Sequence, residues 1–140
     1  MQVKETMTHN VEYMPCDTNV IEAAKRMQEL ECGFLPVGDP REQKLKGVIT
    51  DRDITLRAVA RGLDLEQTRV DQLMTDQVLY CYENDDIERI ADNMRTNGIY
   101  RLVVLDNDKD KQLKGVISLG DIARWHDEQI TGHIVKGIAA

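Results

Sequence analysis

Leu45-Lys46-Gly47-Val48-Ile49-Thr50-Asp51-Arg52-Asp53 returns later in the chain as Leu113-Lys114-Gly115-Val116-Ile117-Ser118-Leu119-Gly120-Asp121, its first five residues unchanged. Upstream, the correspondence continues at a shift of 67 residues. Val3 falls on Val70, Met7 on Met74, Thr8 on Thr75, Tyr13 on Tyr80, Ala24 on Ala91, Met27 on Met94 and Val37 on Val104. One inserted residue before Leu113 lengthens the shift, and Asp53-Ile54 then meets Asp121-Ile122. A period this long marks a duplicated small domain, not a solenoid unit of roughly 20–50 residues. The copies span 1–62 and 70–127, joined by 63–69 and followed by a tail, 128–140.

Each copy reads helix, strand, strand, helix, after a short extended piece near Val11 or Val78. In the first, Asn19 followed by Glu22 predicts a capping box. Val20, Ala23, Ala24, Met27 and Leu30 then share one helical face. Gly33–Val37 is a short apolar strand, with Pro36 at an edge or a ladder-free position. Gly38–Lys44 is a hairpin connection, and Gly47–Ile49 the second strand. Thr50 opens a helix with Ile54, Ala58 and Val59 turned inward, ending near Gly62. In the second copy Asp86 caps a helix whose face is Ile87, Ile90, Ala91 and Met94. Strands at 101–105 and 115–117 flank a turn at 106–111, and a helix runs from Ser118 to His126. One such unit is too small to cover both helices and its sheet, so two are expected to pack together.

Composition narrows the function. Hydrophobic residues are 41% and charged residues 31% of 140, with few aromatics, which suits a globular protein with an aliphatic core. The net charge of −7 opposes nucleic-acid backbones and anionic membranes as partners. No apolar run approaches a membrane span and the start is not a signal peptide, so a cytoplasmic location is expected. Cys16, Cys32 and Cys81 show no C-x-x-C spacing and read as free thiols; a metal-associated protein is the rival reading. His9, His126 and His133 lack the spacing of a nucleophile relay, and no catalytic motif is present, so no enzyme and no catalytic cofactor is expected. In the tail, Ile130, Ile134, Val135 and Ile138 have near-helical spacing. They either dock on their own domain or form a contact with a second copy or another protein.

Both quoted stretches run from a strand to a hydroxyl residue and, three residues on, to Asp. A Ser or Thr at a helix start stands beside unpaired N–H groups and the positive end of the helix dipole, where an anion is favoured. The Asp can accept charge-assisted bonds from vicinal hydroxyls such as those of a ribose. The same spacing also satisfies a capping box. Two equivalent copies favour a binding role over two unrelated caps.

In length, duplication, Val-x-x-x-Met-Thr starts and paired strand-to-Asp motifs, residues 2–126 resemble a tandem pair of cystathionine-β-synthase-type (CBS) domains. The linker Ala60-Arg61-Gly62-Leu63-Asp64 and the short tail resemble those of small stand-alone bacterial members, including the hypoxic-response type. The resemblance implies an α+β fold of two β-α-β-β-α repeats packed with pseudo-twofold symmetry. It also implies a homodimer, an effector protein that reads the module, and an adenosine nucleotide (AMP, ADP, ATP or NAD) in a cleft between repeats. Carried over, Asp121 holds the ribose and Ser118 the phosphate. Tyr100-Arg101-Leu102-Val103-Val104 resembles the His-Arg-Leu-Val-Val stretch of nucleotide-binding members, which gives Arg101 to phosphate. Val78, Val116 and Ile99 flank the base, beside Tyr100. The other cleft offers Asp53, Thr50, Arg52, Val11 and Val48. It has Phe34 where the first has Arg101, so it ranks second. The alternative is a ligand-free or metal-associated stress-response interaction protein.

Overall fold

A computed structural model describes residues 1–125 and 128–139, the side chains of 130, 133, 138 and 139 excepted. The elements are β1 (Thr8–His9), α1 (Val20–Leu30), β2 (Phe34–Asp39), β3 (Lys44–Thr50), α2 (Asp51–Asp53), β4 (Tyr80–Tyr82), α3 (Ile87–Asn97), β5 (Arg101–Leu105), β6 (Leu113–Ser118), α4 (Leu119–Trp125) and α5 (Glu128–Ala139). Helix α2 continues as a π-helical stretch, Ile54–Val59. Two compact units form, and they cross the boundaries of the repeats. One comprises 12–78; the other comprises 1–11 and 79–140.

The leading segments explain the crossing. In the unit of 79–140, Thr8 of β1 lies opposite Val116 of β6. In the unit of 12–78, Thr75 exchanges both backbone bonds with Val48, each 2.9 Å. Thr8 and Thr75 are equivalent in the repeat, as are Val116 and Val48. Each Met-Thr segment therefore completes the sheet of the other copy. A glycine precedes each valine because the incoming backbone leaves no room for a Cβ. At Gly115 a Cβ would collide with the Thr8 carbonyl oxygen; at Gly47 it would stand 2.7 Å from the Thr75 carbonyl oxygen.

Within each unit the order β-α-β-β-α holds. In one, Met14 bridges Val37 in parallel and β2 pairs antiparallel with β3. In the other, β4 pairs parallel with β5 and β5 antiparallel with β6. A parallel pair needs a crossover, and α1 or α3 supplies it. Both hairpins carry a bulge at the same place, between Val37 and Gly38 and between Val104 and Leu105. Pro36 takes a ladder-free position: opposite it, Val48 spends both backbone groups on Thr75, so β3 asks for no N–H there.

One helix-facing core gathers Val20, Ala23 and Met27 of α1 with Leu35, Val37 and Ile49 of the sheet. The other gathers Ile87, Ile90, Ala91 and Met94 of α3 with Leu102, Val104 and Ile117. Ala24, Leu30 and Val59, expected inside, are exposed. The i→i−5 bonding of the π stretch, as in Ala60 N–H to Thr55 carbonyl, turns Val59 off the face that Ala58 buries. Asn19 does cap α1, accepting from Ile21 N–H at 2.8 Å, but Glu22 does not close a box and pairs with Lys25. Asp86 makes no side-chain cap; its carboxylate lies 3.7 Å from the amino terminus.

The tail is helical and docks on its own unit. Ile134 of α5 is fully buried in the core of α3. Gly137 lets α5 approach the backbone of Arg95. Val135 is exposed; Ile130, Ile138 and His133 as side chains, and His126 entirely, lie outside the described residues.

Candidate functional site

Both strand-to-Asp motifs fold as reciprocal capping boxes. Asp121 N–H donates to Ser118 Oγ at 3.1 Å, and Ser118 N–H donates to Asp121 Oδ2 at 2.9 Å. Thr50 and Asp53 repeat the pair at 3.0 Å in each direction. The two carboxylates are among the few buried charges, 7% and 8% exposed. Each spends one oxygen on its own helix start. The second oxygen faces an arginine: Arg124 is 3.9 Å from Asp121 Oδ1, and Arg57 is 3.7 Å from Asp53 Oδ1. Neither arginine entered the sequence reading, although the i,i+3 and i,i+4 spacings are visible there.

The two starts differ in what remains free. At the first, Asp51 N–H goes to the Gly33 carbonyl, Arg52 N–H to Asp51 Oδ1 and Asp53 N–H to Thr50. Two carboxylates crowd that turn. Arg57 is tethered, its guanidinium also donating to the Leu73 carbonyl at 2.9 Å. At the second, Leu119 N–H goes to the Tyr100 carbonyl and Asp121 N–H to Ser118. No described residue accepts from the N–H of the exposed Gly120. Ser118 accepts one bond and keeps its own proton to donate. Arg124 is 68% exposed and so is easily displaced from Asp121.

Arg101 is the cross-strand partner of Ser118, and Phe34 that of Thr50. Directly opposed residues project from the same face, with Cβ atoms about 4.5–5.5 Å apart. Alternation along β6 places Val116 with Ser118 and sets Ile117 into the helix-facing core. Arg101, Ser118, Val116 and Val103 thus share the sheet face turned away from α3 and α4. The Arg101 guanidinium lies 5.0 Å from the ring of Tyr100, which is about half exposed. Ile99 packs partly buried against the α3 core. In the other unit, Val48 and Thr50 share the corresponding face, and Arg52 is an exposed charge on the first turn. Val78 belongs to the unit of 12–78 and Val11 to the other, so neither shares a unit with the rest of its expected set.

Among the described residues, no group of three or more His, Cys, Asp or Glu side chains could hold a metal ion. Cys16 and Cys32 are partly exposed and Cys81 is buried. Burial pushes the Cys81 thiol up to about 12, with Asp85 adding to the rise. Since the thiolate is the nucleophile, iodoacetamide at pH 8 should alkylate Cys16 and Cys32 in the folded protein and reach Cys81 only after unfolding. Mass spectrometry counts the adducts; a third adduct on native protein would contradict the packing around β4. Among the described residues no helix is long and apolar enough to cross a membrane.

The family model for the CBS domain matches twice, over residues 3–59 and 70–128. The CBS domain-containing protein YhcV of Bacillus subtilis is 36% identical over 86% of this chain and 82% of its own length. Hypoxic response protein 1 of Mycobacterium tuberculosis is 32% identical over 84% of this chain and 80% of its own. A crystal structure of Hypoxic Response Protein I with two coordinated zinc ions superimposes with a TM-score of 0.77 at 26% identity, covering 91% of this chain and all of that one. The CBS domain pair of protein MJ0100, in complex with 5'-methylthioadenosine and S-adenosyl-L-methionine, gives 0.76 at 25% identity, covering 89% and 94%.

Proposed function

Given that this chain belongs to the CBS-domain family, as a tandem pair of a regulatory kind, we propose that it senses an adenosine nucleotide at the site built on Asp121. The carboxylate takes the ribose hydroxyls in place of Arg124. Ser118, the Gly120 N–H and the Arg101 guanidinium take phosphate, the last through two-pronged bonding. Val116 and Tyr100, in the same unit, receive the base. The observation that carries this reading is the contrast between the two helix starts. One keeps the Gly120 N–H and the Arg101 guanidinium free beside a single carboxylate, where the other has Arg52 N–H bonded to Asp51 and Phe34 in place of the arginine. The other has spent its N–H groups, gathered two acids and tied Arg57 to the backbone. The Asp53 site, with Thr50, Arg52 and Val48, is accordingly secondary.

The module acts in the cytoplasm as a homodimer, without catalysis. Its ligand biases the packing of the repeats, which an effector protein reads; it can do so only by binding one arrangement better than another. A metal-associated role lacks a ligand cluster among the described residues, and elemental analysis of purified protein tests it.

Thermal unfolding with and without millimolar AMP, ATP and NAD tests the nucleotide reading. A ligand at 100 times its Kd adds about 2.7 kcal/mol, a rise of several degrees for a chain of this size. The increment, not the absolute Tm, is the readout, because Asp121→Ala also removes a cap. Asp121→Ala and Arg101→Gln should abolish the increment and Asp53→Ala should leave most of it. A flat response to all the ligands would sink the proposal.

A further inference from the structure

The chain holds one Trp, four Tyr and one Phe. Tyr13 and Phe34 are buried, and Tyr80 and Tyr82 are half-buried. The two that stand in solvent are Trp125, 58% exposed, and Tyr100, 47% exposed. Both border α4. Tyr100 lies where the helix begins, its carbonyl accepting the Leu119 N–H at 2.8 Å. Trp125 is the last residue of α4, four beyond Asp121.

The duplicate copy shows what position 125 reaches. With Asp53 set on Asp121, Arg57 falls on Trp125. Arg57 turns back onto its aspartate, with Nε 3.7 Å from Asp53 Oδ1. It does so from the π-helical stretch. In an α-helix such as α4, residues four apart are neighbours by geometry alone, with Cβ atoms about 5–6 Å apart. Helical side chains also lean toward the N-terminus, so each covers the turn before its own Cα. Position 125 therefore overlies the turn that carries Asp121. In the first copy the group so placed is a cation that engages the carboxylate and is anchored to the Leu73 carbonyl. In the second it is a flat apolar ring, which has no charge to give Asp121. The carboxylate is left with Arg124, three residues on, at 3.9 Å.

An exposed ring over that turn suits a ligand with a π-face of its own. A nucleotide whose ribose hydroxyls are held at Asp121 carries its base on the adjoining carbon of the sugar, within reach of an indole there. Removing an aromatic partner of a stacked base costs roughly five- to 150-fold in affinity. Every base has a π-face, so stacking selects nucleotides over bare sugar phosphates and not one base over another.

We propose that Trp125 is a base-stacking residue of the Asp121 site, closing over the face of the base left open by Val116 and Tyr100. This rests on the nucleotide reading above. The test is the fluorescence of Trp125, the one tryptophan of the chain, recorded on the full chain titrated with AMP, ATP and NAD, beside the rise in Tm. Every ligand that raises Tm should quench the indole saturably, and ribose 5-phosphate should not. Trp125→Ala should weaken binding roughly five- to 150-fold, and Trp125→Phe, which keeps a ring, should weaken it less. Because the side chain is exposed, ligand-free Trp125→Ala should melt within about 2 °C of the parent. A ligand that raises Tm yet leaves the emission flat, or that binds Trp125→Ala as tightly as the parent, overturns the stacking role and leaves the nucleotide reading standing. Quenching by ribose 5-phosphate overturns it too. No rise in Tm with any of the three nucleotides removes both. A large loss of stability in ligand-free Trp125→Ala, or an emission that shifts with protein concentration before ligand is added, also overturns the proposal, since the ring would then serve the core or a second copy.

Discussion

Gly115→Val is expected to melt roughly 6–12 °C below the parent chain. A Cβ at that position collides with the Thr8 carbonyl oxygen, which belongs to a paired backbone and has no rotamer to retreat to. Overpacking costs typically 1–3 kcal/mol. The upper end applies where backbone must move, and each kcal/mol is worth about 2–4 °C in somewhat larger domains. β1 should peel from β6, so trypsin should cut sooner after Lys4. Gly47→Val should cost less, because one of its two nearest neighbours is the flexible Met74 side chain. A Tm within a degree or two of the parent for Gly115→Val would mean that residues 1–11 do not complete the sheet of β4 to β6.

Ile134→Ala should have the second large effect, about 2–5 kcal/mol, the usual cost of truncating a buried isoleucine without refilling the space. Ile134 is fully buried among Met94, Ala91 and Ile122. Ile134→Asp would add an unpaired charge to the same core and should cost more. Val135→Ala, one residue on but exposed, serves as the control and should stay within about 0.5 kcal/mol. Urea midpoints separate the three. If Ile134→Ala and Val135→Ala lose the same amount, α5 does not belong to the core of α3.

The site was legible where it is local. Ser118–Asp121 and Thr50–Asp53 could be read as both a binding motif and a cap, and the capping geometry is realised in each. The spacing of Arg57 and Arg124 behind the two aspartates was equally readable, but not their different tethering, which depends on the Leu73 carbonyl arriving from far along the chain. The same holds for Gly120. Its open N–H follows from the absence of an acidic residue at position 119, where the first copy has Asp51. The hydroxyl of Tyr13, buried with no partner among the described residues, had no signal in sequence at all, because a tyrosine in an extended piece ordinarily finds a partner when buried.

The amino-acid order by itself determined that the chain is a duplication, which helices and strands each copy makes, and which apolar residues of α3 face inward. Those features depend on neighbours within a few residues, where helical and strand periodicity and cap chemistry act directly. Only tertiary structure decided that each Met-Thr segment serves the other copy, that α5 closes on α3, and that Ala24, Leu30 and Val59 stay in contact with solvent. Pairing between distant strands is set by backbone hydrogen bonds and by the room a glycine leaves, and neither has a period that can be read along the chain.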